Sequence, residues 1–348
     1  MLQTALKKLV LVLLSAVILT FSFFMGHGSL DAGQISGFKV MENKIYDPTG
    51  HIFIVKGVTA VWGRFDGSAY GVGMINYKNA QRDLDSIKRL GVNFIRLFVS
   101  AYFADLPSTD PHYLPDYMQE LDNVVNWTTQ RGMVIELANS LTDDFSTSLQ
   151  FVGSLAARYK NNSYVWIEPM NEPNCESGDH VRCSDWKFWQ FQHLEYVRAI
   201  REAGNTAPIV VNTIYHSSDL RQIGTYVLND SNIVYGVHRY ANESVTFTLQ
   251  EQRLSDQRWA GFSSMFPVIV DEVGIYDGRG TYHPEWNLGF LDYIANWVNT
   301  RQGAGAVAYN WYTDEDNSMT GDWRHKDSND VLTVWGNMYS ERYLQKVG

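Results

Sequence analysis

The sequence predicts a single (β/α)8 TIM barrel of the α/β class, and three observations carry that prediction. Eight short, nearly continuous apolar runs recur along the 348 residues. Amphipathic stretches of helical period separate them, the pattern of parallel strands covered on both faces by crossover helices. No Gly-x-Gly-x-x-Gly turn follows the first run, which counts against an open dinucleotide-binding sheet. Eight such units over roughly 300 residues match a closed barrel.

The elements follow in chain order. Residues 38–54 carry the turn Asp47-Pro48-Thr49-Gly50 and are expected to form a hairpin closing the barrel floor. The strand candidates are 52–60, 93–99, 133–138, 164–170, 207–212, 233–238, 267–273 and 305–311. Helices are expected over 80–90, 116–131, 145–159, 186–203, 220–228, 246–259 and 286–300, and the tail 329–343 supplies an eighth. Gly91, Gly132 and Gly204 stand where helix C-caps belong. No repeat, low-complexity tract or long linker interrupts the chain after residue 30, so 29–348 reads as one domain.

Residues 1–28 read as an address. Lys7 and Lys8 precede an apolar run over 9–25, and a basic start before an apolar stretch is an export signal. The run is longer than a typical signal core and shorter than a spanning helix of roughly 20 residues. The segment is therefore expected to be a signal peptide cleaved after Gly28 or a retained membrane anchor, a tether through 9–25. Either way the rest is expected to be secreted or extracytoplasmic. In that compartment the two cysteines, Cys175 and Cys183, are expected to close a loop disulfide. Two sulfurs with only His180 nearby fit no common zinc spacing.

Composition narrows the partners. The net charge of −10 argues against nucleic acid, which needs a basic footprint. The 11 Trp, 20 Tyr and 17 Phe exceed what a core of this size takes up, so some of them are expected to line a binding surface.

A barrel of this kind works at the C-terminal ends of its strands. Those ends are where polar residues interrupt the apolar runs. The second run carries Arg96, and the fourth continues through Glu168 to Asn171-Glu172-Pro173. The sixth ends in His238-Arg239-Tyr240, the seventh in Asp271-Glu272, and the eighth in Trp311. Two carboxylates on facing strands of one barrel mouth are what glycosidic-bond hydrolysis requires. A separation of about 5–5.5 Å gives retention, and roughly 6.5–9.5 Å gives inversion. One of the pair has to be ionised to attack the anomeric carbon, and Arg96 is the cation at hand. The other has to carry a proton for the leaving oxygen, and the charge of its partner is expected to raise its pKa.

These residues resemble glycoside hydrolase family 5, the cellulase-like family of a retaining (β/α)8 clan, from about residue 38 to the end. The most specific element is Asn171-Glu172-Pro173, supported by His238-x-Tyr240, Glu272, Trp311 and Arg96. The resemblance implies that Glu172 is the acid/base and Glu272 the nucleophile. It implies that Asn171 holds the sugar 2-hydroxyl, Tyr240 hydrogen-bonds the nucleophile, and Trp311 stacks under the same sugar, with Arg96 and His238 completing the substrate-binding shell. The family often carries a His at the end of the third strand. Here the chain reads Glu136-Leu137-Ala138-Asn139, and Asn139 is expected to supply a polar contact instead.

The implied activity is hydrolysis of β-glycosidic bonds in a polysaccharide, a β-glucan, cellulose or mannan, by double displacement, with no metal or cofactor required. Two alternatives stand beside it, an envelope-glycan transglycosylase and a catalytically silent carbohydrate-binding barrel. Glu168 is expected to orient its neighbours. Trp62, Tyr70, Trp323 and Trp335 are candidates for the rim, each more often packing, and Asp314-Glu315-Asp316 reads as solvated loop.

Overall fold

Eight parallel strands close into a barrel, each hydrogen-bonded to its neighbours in sequence, with the last sealing against the first. This computed structural model describes residues 37–60, 80–104, 108–109, 116–140, 144–173, 185–240, 246–274, 284–311, 318–320 and 331–348. The barrel strands are β3 (Val55–Ala60), β4 (Phe94–Val99), β5 (Val134–Asn139), β6 (Val165–Glu168), β7 (Ile209–Asn212), β8 (Ile233–Tyr240), β9 (Val268–Gly274) and β10 (Gly305–Ala308). All eight fall within or overlap the expected runs. The leader 1–28, Cys175 and Cys183, Trp62, Tyr70, Trp323 and residues 314–316 lie outside the described residues.

The floor is built first. Lumen-facing Val55, Phe94, Val134, Trp166, Val210, Val234, Ile269 and Val307 form one apolar layer, and Phe38 and Ile45 cap it from below. The Phe38 ring meets Trp166 edge-on at 5.5 Å, and Phe94 meets the same indole at 5.3 Å. The capping hairpin is β1 (Lys39–Met41) against β2 (Lys44–Tyr46), and its tight turn is at Glu42-Asn43. The Asp47–Gly50 turn is a second one. It folds residues 51–53 back onto β2 through a Tyr46–Ile52 bridge and a Phe53 N–H bond of 2.8 Å to the Ile45 carbonyl. The Asp47 carboxylate fixes that turn by accepting from the backbone N–H groups of Thr49 and His51.

One step up, the lumen turns polar. Arg96 pairs in register with Thr59 and Glu136, and all three are buried, as are Glu168, Asn212 and Asp271. Outward-facing residues such as Ile95, Leu97, Ile135, Leu137 and Ile167 belong to a second, larger cluster under the helices.

Those helices are α1 (Ala80–Arg89), a short α2 (Ala101–Ala104), α3 (Tyr117–Gln130), α4 (Phe145–Tyr159), α5 (Trp186–Glu202), a short α6 (Ile214–Ser217), α7 (Leu249–Arg258), α8 (Pro284–Arg301) and α9 (Val334–Tyr339). Their starts are written in side chains. Asp144 and Asp185 accept from the free N–H groups of α4 and α5, and Thr248 with Glu251 forms a capping box on α7. Gly91, Gly132 and Gly204 all take positive φ directly after α1, α3 and α5, as a C-cap requires.

The fifth crossover departs from expectation. Residues 220–228 form consecutive turns instead of a helix, with Thr225 and Tyr226 both bonded to the Gln222 carbonyl. Leu220, Ile223 and Leu228 are nevertheless buried, so the apolar spacing is real and the backbone satisfies it without a helix. Asp219 accepts from the Arg221 N–H, and Gly224 and Thr225 in mid-segment are poor helix formers.

The tail seals the barrel seam. The Tyr339 hydroxyl sits 2.9 Å from the carbonyls of Gly57 and Ala306, and the Tyr343 hydroxyl donates to the Val55 carbonyl at 2.6 Å. Trp335 is buried there with its N–H on the Tyr309 carbonyl, so it packs rather than lines a rim. Among the described residues no helix is long and apolar enough to cross a membrane.

Candidate active site

Most of the polar interruptions of the strand ends converge on one mouth. β6 stops at Glu168, and the chain continues through Asn171, whose N–H bonds the Asn139 carbonyl at 2.9 Å. Glu172 follows with φ of 40°, in the left-handed region that non-glycine residues seldom occupy. Its carboxylate is held from both sides. His238 Nδ1 lies 2.6 Å from Oε1, and His216 Nδ1 lies 3.3 Å from Oε2.

Glu272, from β9 on the facing wall, is held by a different set. Arg96 donates to its Oε1 and the Tyr240 hydroxyl donates to its Oε2. The Arg96 guanidinium is wholly buried and fully used. It grips Glu168 with two bonds of 2.8 and 3.0 Å, donates to Asn171 Oδ1 at 2.7 Å, and lies over the Phe98 ring at 4.7 Å. Glu168 therefore orients the arginine, as expected. Oxygens of Glu172 and Glu272 and a ring nitrogen of His238 all lie within 4.8 Å of one another.

The electrostatics correct one expectation. Burial raises the Glu172 carboxyl, but the charge of His238 and the hydrogen bonds from His216 and His238 outweigh it and hold Glu172 well below the usual carboxylate range. His238 moves the other way. Burial pulls it down, yet Glu272 and Glu172 on either side push it up to about 10. The proton of the 2.6 Å contact therefore rests on the imidazole, and the imidazoles, not Glu272, dominate Glu172. Burial and the charge of Glu272 raise Tyr240 well above the ordinary phenol value, so it remains a hydrogen-bond donor.

Two predicted contacts sit differently from the rest. Asn139 is buried, and its amide nitrogen is committed to Ser148 Oγ at 2.7 Å and the Pro169 carbonyl at 3.1 Å. Its backbone carbonyl also holds Asn171 in place. Trp311 is 1% exposed, packed into the wall at the end of β10 with its backbone N–H bonded to the Thr59 carbonyl. Arg96, Asn171, Glu172, His238, Tyr240 and Glu272 are the predicted residues brought together.

Three participants were not singled out from sequence. His216 comes from the segment directly after β7, where Tyr215, His216 and Ser217 have φ of 57°, 52° and 53° in succession. A left-handed turn of three non-glycine residues is costly. It is anchored by Ser217, whose hydroxyl donates to the Gly236 carbonyl at 2.7 Å. Its position past the fifth apolar run was the available signal. Asp271 accepts from Asn212 Nδ2 at 3.1 Å and lies 3.9 Å from His238 Nε2. Gly236 makes room for it, since a Cβ there would stand 2.7 Å from Asp271 Oδ2. Glu136 completes a buried trio with Glu168 and Asp271 whose oxygens lie within 4.8 Å of one another. Such spacing suits a metal ion, but Arg96 Nε already stands 2.8 Å from Glu168, 3.6 Å from Asp271 and 3.9 Å from Glu136. The guanidinium is the cation of this layer.

Comparison with known proteins bears on the family and the fold. The family model described as Cellulase (glycosyl hydrolase family 5) matches residues 48–317. The chain belongs to glycoside hydrolase family 5. It is 25% identical over 280 residues to Endoglucanase A of Butyrivibrio fibrisolvens, a match covering 76% of this chain and 58% of that protein. Its barrel superposes on a β-glucanase from Saccharophagus degradans with a TM-score of 0.71 at 21% identity, covering 89% of this chain and 93% of the other. The same β-glucanase in complex with cellotetraose gives 0.70 at 19% identity over the same shares of the two chains. An endocellulase from Pyrococcus horikoshii, also crystallised with cellotetraose, gives 0.67 at 15% identity, covering 88% and 97%. At these identities the structural likeness establishes the fold.

Proposed function

We propose that this family 5 barrel hydrolyses β-1,4-linked glucan chains with retention of configuration, Glu272 as nucleophile and Glu172 as acid/base. The observation that carries the reading is the unequal treatment of two facing carboxylates. Glu272 is gripped by a buried arginine and a phenol, which orient an ionised oxygen. Glu172, within 4.8 Å of it, is coupled to an imidazole that holds a proton. That proximity supports the retaining arrangement, roughly 5–5.5 Å, over the roughly 6.5–9.5 Å of an inverting one.

In the first step a Glu272 oxygen attacks the anomeric carbon and the glycosidic C–O bond breaks. The leaving oxygen takes its proton from Glu172, to which His238 passes one across the 2.6 Å contact. Forming the ester removes the negative charge of Glu272, and with it one of the two anions that hold the proton on His238. In the second step Glu172 accepts a proton from water, whose oxygen displaces Glu272 and returns the enzyme to its starting state. This reading assigns the sugar 2-hydroxyl to Asn171, whose side chain is fixed by Arg96.

The choice of β-glucan over mannan rests on relatives named as an endoglucanase, a β-glucanase and an endocellulase. The apolar run at 9–25 behind Lys7 and Lys8 supports export, with that run as a signal peptide or tether. The test is release of new reducing ends by residues 29–348 from a panel of β-glucans, mannans and xylans. Hydrolysis of the glucans is expected; release from mannan alone, or none from folded protein, would overturn the assignment.

A further inference from the structure

The polar layer under the active site contains more carboxylate than its cations can serve. Glu136, Glu168 and Asp271 are all buried, and Arg96 divides its charge among them and Glu272. Glu168 has two hydrogen bonds from the guanidinium and Asp271 has one from Asn212. Neither oxygen of Glu136 has a hydrogen-bond partner among the described residues, and its sole near cation is Arg96 Nε at 3.9 Å. An ionised carboxylate in that position bears the full penalty of a buried charge with no donor, beside two more carboxylates within 4.8 Å. The neutral acid removes the penalty and the repulsion together, because its O–H becomes the donor that the layer lacks.

We propose that Glu136 is a neutral carboxylic acid that donates its proton toward Glu168, and that it thereby acts as a positioning residue for the nucleophile. The link runs through Arg96. A fully charged Glu168 gripping the guanidinium with two bonds competes with Glu272 for the same cation. A proton shared by Glu136 takes part of the charge from Glu168 and leaves more of Arg96 to Glu272. The charged groups facing Glu136 are Arg96 from β4, Glu168 from β6 and Asp271 from β9. His238 of β8 stands one step above, across Asp271. Burial and the charges of Asp271 and Glu168 push the Glu136 carboxyl well above its usual range, and burial pushes Glu168 up to about 7 against the pull of Arg96. Both directions agree with the geometric argument.

The catalytic half of this proposal rests on the function proposed above; the protonation half does not, and the experiment separates them. The whole domain is unfolded in urea from pH 5 to 7 as parent and as Glu136→Gln, a substitution that imitates the neutral acid. The native parent holds a proton at Glu136 that the unfolded chain releases above its ordinary carboxyl pKa. Raising the pH therefore favours unfolding of the parent relative to the variant, by about tenfold in the ratio of their unfolding constants per pH unit. A ratio that stays flat overturns the proposal. So does a stoichiometric divalent metal found by elemental analysis in the parent and missing from the variant.

Activity on a soluble β-glucan is then compared with Glu136→Leu, which has no donor for Glu168. The amide of the Gln variant keeps kcat within about threefold of the parent, whereas the Leu variant loses roughly tenfold or more in kcat with KM unchanged. Equal loss in both variants, or a loss confined to KM, overturns the positioning role. An inactive parent with the urea slope intact would instead refute the proposed function.

Discussion

His216 offers the sharpest handle on the acid/base assignment, because it touches Glu172 and little else of the catalytic group. Its Nδ1 stands 3.3 Å from Glu172 Oε2, and its side chain is 56% exposed. In that wet setting a water-like dielectric applies, and two unit charges at this distance interact by about 1.3 kcal/mol. This corresponds to roughly one pH unit in the Glu172 carboxyl. Replacing His216 by Asn removes the cation, so the depressed pKa of Glu172 climbs toward its ordinary value. The protonated acid then survives to higher pH. The alkaline limb of kcat/KM on an aryl β-cellobioside with a poor leaving group is expected to move up by about one unit. The change should shrink in molar salt, where exposed charges are screened. A profile that stays in place, or moves down, would refute the claim that Glu172 is the general acid.

Other perturbations follow from the same contacts. Glu272→Gln removes the nucleophile and should leave less than roughly a thousandth of kcat. Glu172→Ala should spare substrates with good leaving groups and regain rate with azide; equal loss on all substrates would count against it. Tyr240→Phe deletes a charge-assisted bond to Glu272, worth about 1.5–3 kcal/mol, and should cost roughly ten- to a hundredfold in kcat. Gly236→Ala drives a methyl to 2.7 Å from Asp271 Oδ2 and 3.1 Å from Asn212 Nδ2, so thermal denaturation should reveal a loss of about 1–3 kcal/mol.

Much of the fold is legible in the sequence because buried parallel strands have little choice of residues. Runs such as 133–138 and 267–273 are buried on both faces, and each became a barrel strand. Arg96, Glu172, His238, Tyr240 and Glu272 stood out for the complementary reason, since a polar residue ending an apolar run requires an explanation. The fifth crossover was misread because Leu220, Ile223 and Leu228 keep a helical spacing that turns can also bury. His216 had no mark beyond its position past the fifth run, because a left-handed course over three non-glycine residues is decided by the tertiary anchor at Ser217. The pairing of Glu172 with two imidazoles depends on that course, so the direction of its pKa could not be read from the spacing of the two glutamates. Asn139 appeared as a contact because it replaces a family His, but the ordering of Asn171 by Asn139 emerges only from the strand ends in three dimensions.

Covalent capture tests the central claim most directly. The parent is incubated with a 2-deoxy-2-fluoro-β-cellobioside bearing a good leaving group, then digested and mapped by mass spectrometry. The account predicts one added fluorocellobiosyl group, on the peptide containing Glu272 and on that residue. A label on Glu172 would contradict it, as would unlabelled protein that turns over the parent cellobioside with inversion.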